Sequence, residues 1–279
     1  MMSKAESPVA QAAGDGPARK QDIWRTGAAH LRRAYIWHRL LRQARRQGYT
    51  SRDLARFYRY LSTNLRLEEP QHTNPLQLPR NHFAGLKSQA VHDASEFPAI
   101  ARLIGDFGAI KEELSRYTAD ISLAAHPQDL ADRGRWNVLY FYAGGRPAVE
   151  VQRRCPKTAE AIAAFPGAGE AGQAYLSVLE PGTHIEAHCG PTNVRLRAHL
   201  GLAIPDDTRI RLGSEICRWH EGRCLVFDDS FEHEVWNDST RERTVLIIDF
   251  WHPELTSAER WAITAARRLR WGLRDILHA

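Results

Sequence analysis

The chain has 279 residues, 43% of them hydrophobic and 25% charged, a composition that excludes an intrinsically disordered protein and suffices for a sizeable core. There are 38 Lys and Arg residues against 33 Asp and Glu, a formal net charge of +5, and the four scattered cysteines (Cys155, Cys189, Cys217, Cys224) exclude a disulfide scaffold or a paired-cysteine zinc site. No run of about 18 apolar residues is present and the N-terminus lacks the apolar segment of a secretory signal, so no membrane span and a cytoplasmic location are expected.

Residues 1–18, rich in Ala, Gly, Ser and Pro, are expected to form a flexible tail. Residues 20–47 read as one long helix stopped at Gly48, and Thr50 or Ser51 is placed to cap a second helix running through Leu61. Charge is concentrated here. Arg19 to Arg66 holds thirteen basic and two acidic residues, a net of +11; residues 1–18 carry −1, which leaves −5 for residues 67–279. A solvated helical face explains such a stretch most simply. An acidic peptide or carrier protein is the next reading, with nucleic acid or anionic lipid behind it. Aromatic residues such as Trp24, Trp37, Phe57, Tyr58 and Tyr60 interleave with the arginines. However, Leu31, Tyr35, His38 and Leu41 recur at helical spacing, which points to core packing. The expected organisation is a tail (1–18), a basic helical extension (19–69) and a main domain (70–279).

Pro70, Pro75 and Pro79 break residues 68–96 into an extended entry loop. Residues 97–117 read as a helix, Trp136–Tyr142 as a strand, and Cys155–Thr158 leads into a short helix ending near Pro166. From residue 173 the texture becomes a series of short strands with Gly, Pro and Asp turns: Ala174–Leu179, Arg195–Ile204, Arg209–Leu212, Ile216–Trp219, Cys224–Phe227, His233–Trp236 and Thr244–Phe250. That pattern indicates an antiparallel sandwich or barrel. A final helix is expected from a Thr256–Glu259 capping box to about Leu277.

The strand at 195–203 alternates cleanly, with Arg195, Arg197, His199 and Gly201 on one face and Leu196, Ala198, Leu200 and Leu202 on the other. A solvated face would hold two arginines and a histidine at no cost, whereas a buried one needs anionic partners. Arg243 opens another apolar strand and is placed to reach inward; guanidinium groups hold carboxylates bidentately. Two histidines, His188 and His233, lie 45 residues apart near strand ends, and two imidazoles from separate strands of one barrel suit iron or zinc. The position two residues after His188, where a carboxylate ligand commonly stands, is Gly190. Glu186, Asp228 and Asp229 are nearby alternatives.

Two long stretches carry a family resemblance. Ser177–Leu202 (SVLEPGTHIEAHCGPTNVRLRAHLGL) and Trp219–Leu255 (WHEGRCLVFDDSFEHEVWNDSTRERTVLIIDFWHPEL) resemble the aspartyl/asparaginyl beta-hydroxylase family. Shorter traces are Phe83–Ser88 (FAGLKS), Cys155–Thr158 (CPKT) and Phe165–Gly167 (FPG), so the likeness covers roughly residues 80–255. It implies a mainly β fold, a double-stranded β-helix (jelly roll, cupin-like) with flanking N- and C-terminal helices. It also implies Fe(II), with 2-oxoglutarate and O2 as cosubstrates.

Carried onto this chain, His188 and His233 would be both the catalytic centre and the metal ligands, with Gly190 at the missing-carboxylate position. Arg243 would clamp the distal carboxylate of 2-oxoglutarate with Ser177 beside it, and Arg197 and His199 would contact the carboxylate nearer the metal. The implied reaction is hydroxylation of the β-carbon of an amino-acid residue in a peptide or carrier-protein substrate, with release of succinate and CO2; the basic segment makes an acidic substrate one of the candidates. The alternatives are an oxygenase of the same fold acting on a free amino acid or an acyl chain, and a non-catalytic binding module. Nucleic acid is a disfavoured partner.

Overall fold

The computed structural model describes residues 17–277; the expected tail therefore lies almost wholly outside the described residues. In chain order the helices are α1 (Pro17–Arg46), α2 (Ala55–Asn64), α3 (Pro98–Gly105), α4 (Phe107–Ala119), α5 (Val149–Arg154), α6 (Pro156–Ala163) and α7 (Ser257–Leu277). The strands are β1 (Val91–His92), β2 (Ala124–Ala125), β3 (Ala131–Arg133), β4 (Trp136–Ala143), β5 (Arg146–Pro147), β6 (Ala174–Leu179), β7 (His184–His188), β8 (Arg195–Ala203), β9 (Thr208–Leu212), β10 (Glu215–Cys217), β11 (Cys224–Phe227), β12 (His233–Asn237) and β13 (Arg243–Trp251).

From β6 onward the chain passes back and forth between two antiparallel sheets, with the β9–β10 hairpin kept within one of them. The larger runs β1-β11-β8-β13-β6-β4-β2 with β5 paired to β4, and the smaller runs β10-β9-β12-β7-β3. This is a jelly roll, a double-stranded β-helix. Period-two side chains give each strand of the large sheet two destinations. Leu196, Ala198, Leu200 and Leu202 of β8 and Leu246, Ile248 and Phe250 of β13 pack outward against Ile100, Leu103, Ile110 and Leu114 of α3 and α4. Val245 and Ile247 point inward, where they meet Ile185, Ile210, Leu212 and Val235 of the small sheet. Cross-strand pairing of Arg197 with Asp249 and of His199 with Ile247 puts the polar face of β8 on that inner side.

Several local expectations change. The helix expected over 97–117 breaks at Gly105-Asp106 into α3 and α4, where a glycine weakens helix continuity. Thr50 and Asp53 bond each other (Thr50 N to Asp53 Oδ2, 2.7 Å; Asp53 N to Thr50 Oγ1, 3.4 Å) and so close a turn instead of capping a helix. The second helix starts only at Ala55, with no side-chain cap from Leu54. In α1 the buried face is Ile36, Leu40 and Ala44, whereas Leu31 and Tyr35 are exposed; their helical spacing belongs to the opposite face. Gly48, at φ 78°, ends that helix, with Tyr49 N bonded back to the Ala44 carbonyl (2.9 Å).

The buried face of α1 packs with Phe57, Tyr60 and Leu61 of α2, Ala258, Ala262 and Ile263 of α7, and Phe83, Val194 and Trp251 of the barrel. The capping box is present: Thr256 N donates to Glu259 Oε2 (2.9 Å) and Glu259 N to Thr256 Oγ1 (3.2 Å). The same Glu259 carboxylate accepts from Arg56 Nε and Nη2, both at 2.7 Å, which ties α2 to the first turn of α7. Glu259 is 3% exposed, so removing Arg56 strands a buried charge. Arg56→Ala should lower stability by about 2 kcal/mol, toward the low end for charged bonds because Arg56 is a third exposed. The measurement is the urea midpoint at unchanged m-value; an unmoved midpoint would show that the bridge ties nothing.

Candidate functional site

A β-bulge aims the first histidine. On β12, His233 and Val235 are two residues apart and share a face; on β7 their partners are His188 and Ile185, three residues apart. The extra residue in β7 turns His188 to the side of Ile185, where strict alternation would have pointed it away. The two imidazole rings end with centroids 4.2 Å apart.

Each ring is oriented from behind. His188 Nδ1 lies 2.7 Å from the Glu186 carbonyl and His233 Nδ1 2.9 Å from the Phe231 carbonyl. A carbonyl only accepts, so both Nδ1 atoms carry hydrogen and both Nε2 atoms present a lone pair. Burial lowers the pKa of His188 and takes that of His233 well below the ordinary histidine value, which keeps both neutral, as metal ligation requires. This pair fits a divalent metal.

The weighed carboxylates do not complete a larger set. Among the described residues, no group of three or more His, Cys, Asp or Glu side chains is placed to hold a metal. Glu186 offers its backbone carbonyl to His188. Asp228 is turned to Gln77 Nε2 (2.9 Å) and Ser230 N (2.9 Å), and burial raises its pKa to about 8. Asp229 is paired with Arg197 Nη2 (3.1 Å). A Cβ at Gly190 would lie 2.5 Å from the Asp229 carboxyl, so no side chain fits at that position while Asp229 stands there.

The arginines divide into two kinds. Arg195 and Arg197 are neutralised within the protein: Arg197 Nε bonds Asp249 Oδ1 (2.9 Å), and Arg195 Nη1 lies 3.4 Å from Asp249 Oδ2. Burial opposes the Arg197 charge, but Asp229 and Asp249 outweigh it and hold its pKa well above the usual value. With Nε and Nη2 committed, Nη1 is the end left for a ligand.

Among the described residues, Arg243 has no such partner. It is 2% exposed, its Nη1 donates only to Ser177 Oγ (3.3 Å), its Nε has no partner, and its guanidinium lies 4.1 Å from the Trp219 ring centroid. Burial without an anion pulls its pKa down to about 9. Next along, His199 Nδ1 accepts from Trp219 Nε1 (3.2 Å), so Nε2 carries the hydrogen; that buried Nε2 is unpartnered. A buried guanidinium and a buried N–H without acceptors make a cradle for an anion, and the donors suit a dicarboxylate such as 2-oxoglutarate.

The structure thus brings His188, His233, His199, Arg243 and Ser177 to the inner side of the barrel and gives Arg197 protein partners. Sequence reasoning left out Trp219, which lies outside any strand, and Trp136, whose Nε1 donates to Ser177 Oγ (3.0 Å). Tryptophans read as core; only the indole N–H, which needs an acceptor when buried, is a signal in the sequence. It also left out Asp249, hidden in an apolar run.

Residues 105–253 match the family described as Aspartyl/Asparaginyl beta-hydroxylase. The human aspartyl/asparaginyl beta-hydroxylase is 43% identical over 141 residues, 50% of this chain and 19% of that protein. The ornithine lipid ester-linked acyl 2-hydroxylase of Rhizobium tropici is 35% identical over 193 residues, 65% of this chain and 68% of that protein. The mouse aspartate beta-hydroxylase domain-containing protein 2 is 32% identical over 243 residues, 82% of this chain and 69% of that protein. The chain spans only 19% of the length of the human and mouse beta-hydroxylases it matches.

The contact at Gly190 is open to test. Gly190→Ala should push Asp229 off Arg197 and cost roughly 1–3 kcal/mol in denaturant unfolding. In an Asp229→Ala background the same change should cost clearly less, because the obstructing carboxyl is gone. Strictly additive effects would show that the two positions do not touch.

Proposed function

The chain belongs to the aspartyl/asparaginyl beta-hydroxylase family, and from that membership and the site's geometry we propose that it is an Fe(II)/2-oxoglutarate-dependent dioxygenase that hydroxylates its substrate. The observation that carries the reading is the buried Arg243 guanidinium without an anion, on the same inner side of the barrel as the His199 Nε2 that has no partner among the described residues and the His188–His233 pair. When bound, Fe(II) and 2-oxoglutarate supply the oxidising chemistry, consuming O2 and releasing succinate and CO2 as a C–H bond becomes C–OH.

The protein's own residues position and neutralise. His188 and His233 hold the metal through Nε2, their rings fixed by the Glu186 and Phe231 carbonyls. Arg243 and Ser177 hold the distal carboxylate of 2-oxoglutarate, and Trp219 covers the guanidinium face and excludes water. His199 Nε2 and Arg197 Nη1 are the donors left for the carboxylate nearer the metal. Asp249 and Asp229 keep Arg197 in place.

The substrate we assign is the β-carbon of an amino-acid residue in a peptide or carrier-bound form. A second reading, an acyl chain, is favoured by one observation. The Rhizobium tropici relative named as an acyl 2-hydroxylase is matched over 68% of its length, the human beta-hydroxylase over 19%. A cytoplasmic location is part of the proposal; no helix among the described residues is long and apolar enough to cross a membrane.

Anaerobic loading with Fe(II) and 2-oxoglutarate, followed by O2 and mass spectrometry, tests the activity. A panel of peptides containing Asp, Asn and His beside an ester-linked acyl lipid separates the two substrate readings. One of them should gain an oxygen atom in step with succinate; a panel left unchanged, with no succinate formed, would contradict the assignment. His188→Ala and His233→Ala should each abolish turnover in folded protein. Arg243→Ala should weaken 2-oxoglutarate binding roughly 30-fold to several-thousand-fold, the effect of truncating one partner of a buried charge pair. Arg243→Lys should recover only part, because an ammonium cannot form the same fork. An unchanged dissociation constant in the Ala variant would remove Arg243 from the site.

A further inference from the structure

Helix α1 has two faces of opposite chemistry. Ile36, Leu40 and Ala44 are buried against α2, α7 and the barrel. At 3.6 residues per turn, Leu31, Tyr35, Arg39, Arg42 and Arg46 fall within an arc of about 80° on the other side, along roughly 22 Å of helix. All five are exposed. Leu31, at 74%, is the most exposed large apolar side chain among the described residues, and Tyr35, one turn on, is 44% exposed. Arg39, Arg42 and Arg46 have no acidic partner among the described residues, in contrast to Arg33 on the inward side, which meets Glu68 at 3.7 Å.

We propose that this outward face of α1 docks on an anionic phospholipid bilayer. Arginines alone would suit an acidic protein or a nucleic acid equally well. Leu31 and Tyr35 in the same arc separate the cases. Apolar side chains that are unfavourable in water find a favourable place among acyl chains, while long arginine stems let guanidinium groups reach the phosphates. A surface cluster of arginines is drawn to anionic headgroups and the attraction fades with salt. Charge asymmetry sets the orientation: residues 19–66 carry +11 and residues 67–279 carry −5, so the helical side turns toward the membrane and the barrel away from it.

The helical layer that presents the face also encloses a cleft of about 370 Å³ between Phe57 and Leu61 of α2, Ile263 and Ala266 of α7, and the barrel rim at Thr192–Arg195. That volume is within the range of small-molecule sites. The cleft lies beside the loop that follows His188, on the side of α2 and α7 that faces the barrel. The proposal does not depend on turnover, and a protein without metal should bind equally.

The test is co-sedimentation of the full chain with vesicles of phosphatidylcholine containing about 30 mol % phosphatidylglycerol, against vesicles of phosphatidylcholine alone. Two variants are used: Arg39→Glu with Arg42→Glu and Arg46→Glu, and Leu31→Ser with Tyr35→Ser. All five positions are exposed, and circular dichroism and melting temperature confirm that the variants fold. The wild type should sediment with the anionic vesicles, release as salt rises, and stay in solution with the neutral ones. The charge variant should bind at least about 100-fold more weakly, and the apolar variant at least about fivefold. The proposal is overturned if the wild type ignores anionic vesicles at low salt, or if the charge variant binds as well as the wild type. It is equally overturned if the apolar variant matches the wild type, since attraction by charge alone would then account for the face.

Discussion

A guanidinium group buried without a counter-ion is the constraint from which the rest of the site follows. Arg243 sits at the start of β13, its inward direction set by strand alternation and its neighbours set by pairing with β6. Burying such a charge costs several kcal/mol unless an anion answers it. Among the described residues, only a hydroxyl from Ser177 and the face of Trp219 meet it. Both are weak substitutes for a carboxylate, so the position suits an anionic ligand.

The same inner face shows what an arginine looks like when its partner is internal. Arg195, Arg197, Asp249 and Asp229 form two cations and two anions in contact, with no charge left over. Their effect is mechanical. Asp229, held by Arg197, occupies the space that any side chain at residue 190 would need, so a ligand from that position is excluded by volume. The histidine pair is held as firmly, each ring by a backbone carbonyl two residues before it. Histidine pair, anion cradle and neutral arginine network thus have separate supports on shared strands.

Much of this was legible in the sequence because it depends on local periodicity. The alternation of β8, the strand series after residue 173 and the Thr256–Glu259 box each need only neighbours in the chain. What escaped depends on contacts distant in sequence or on irregularity. Alternation in β7 cannot place His188, because one bulged residue reverses its face. Alternation puts Arg197 on the polar face of its strand but does not show its partner, because the carboxylate that pairs with it lies 52 residues away. Helical spacing at Leu31 and Tyr35 is real, but spacing does not say which side of a helix meets the core. Ile36, Leu40 and Ala44 take that side because α7 and the barrel lie there.

The most direct measurement compares two ligands that differ only at the distal carboxylate. Under anaerobic conditions, metal-loaded protein is titrated calorimetrically with 2-oxoglutarate and with 2-oxovalerate, which keeps the 2-oxo acid and lacks the second carboxylate. If the bare Arg243 guanidinium is what the site is built to satisfy, 2-oxoglutarate should bind at least about 30-fold more tightly. Equal affinities would contradict the account, because the buried arginine would then contribute nothing that the 2-oxo acid group does not.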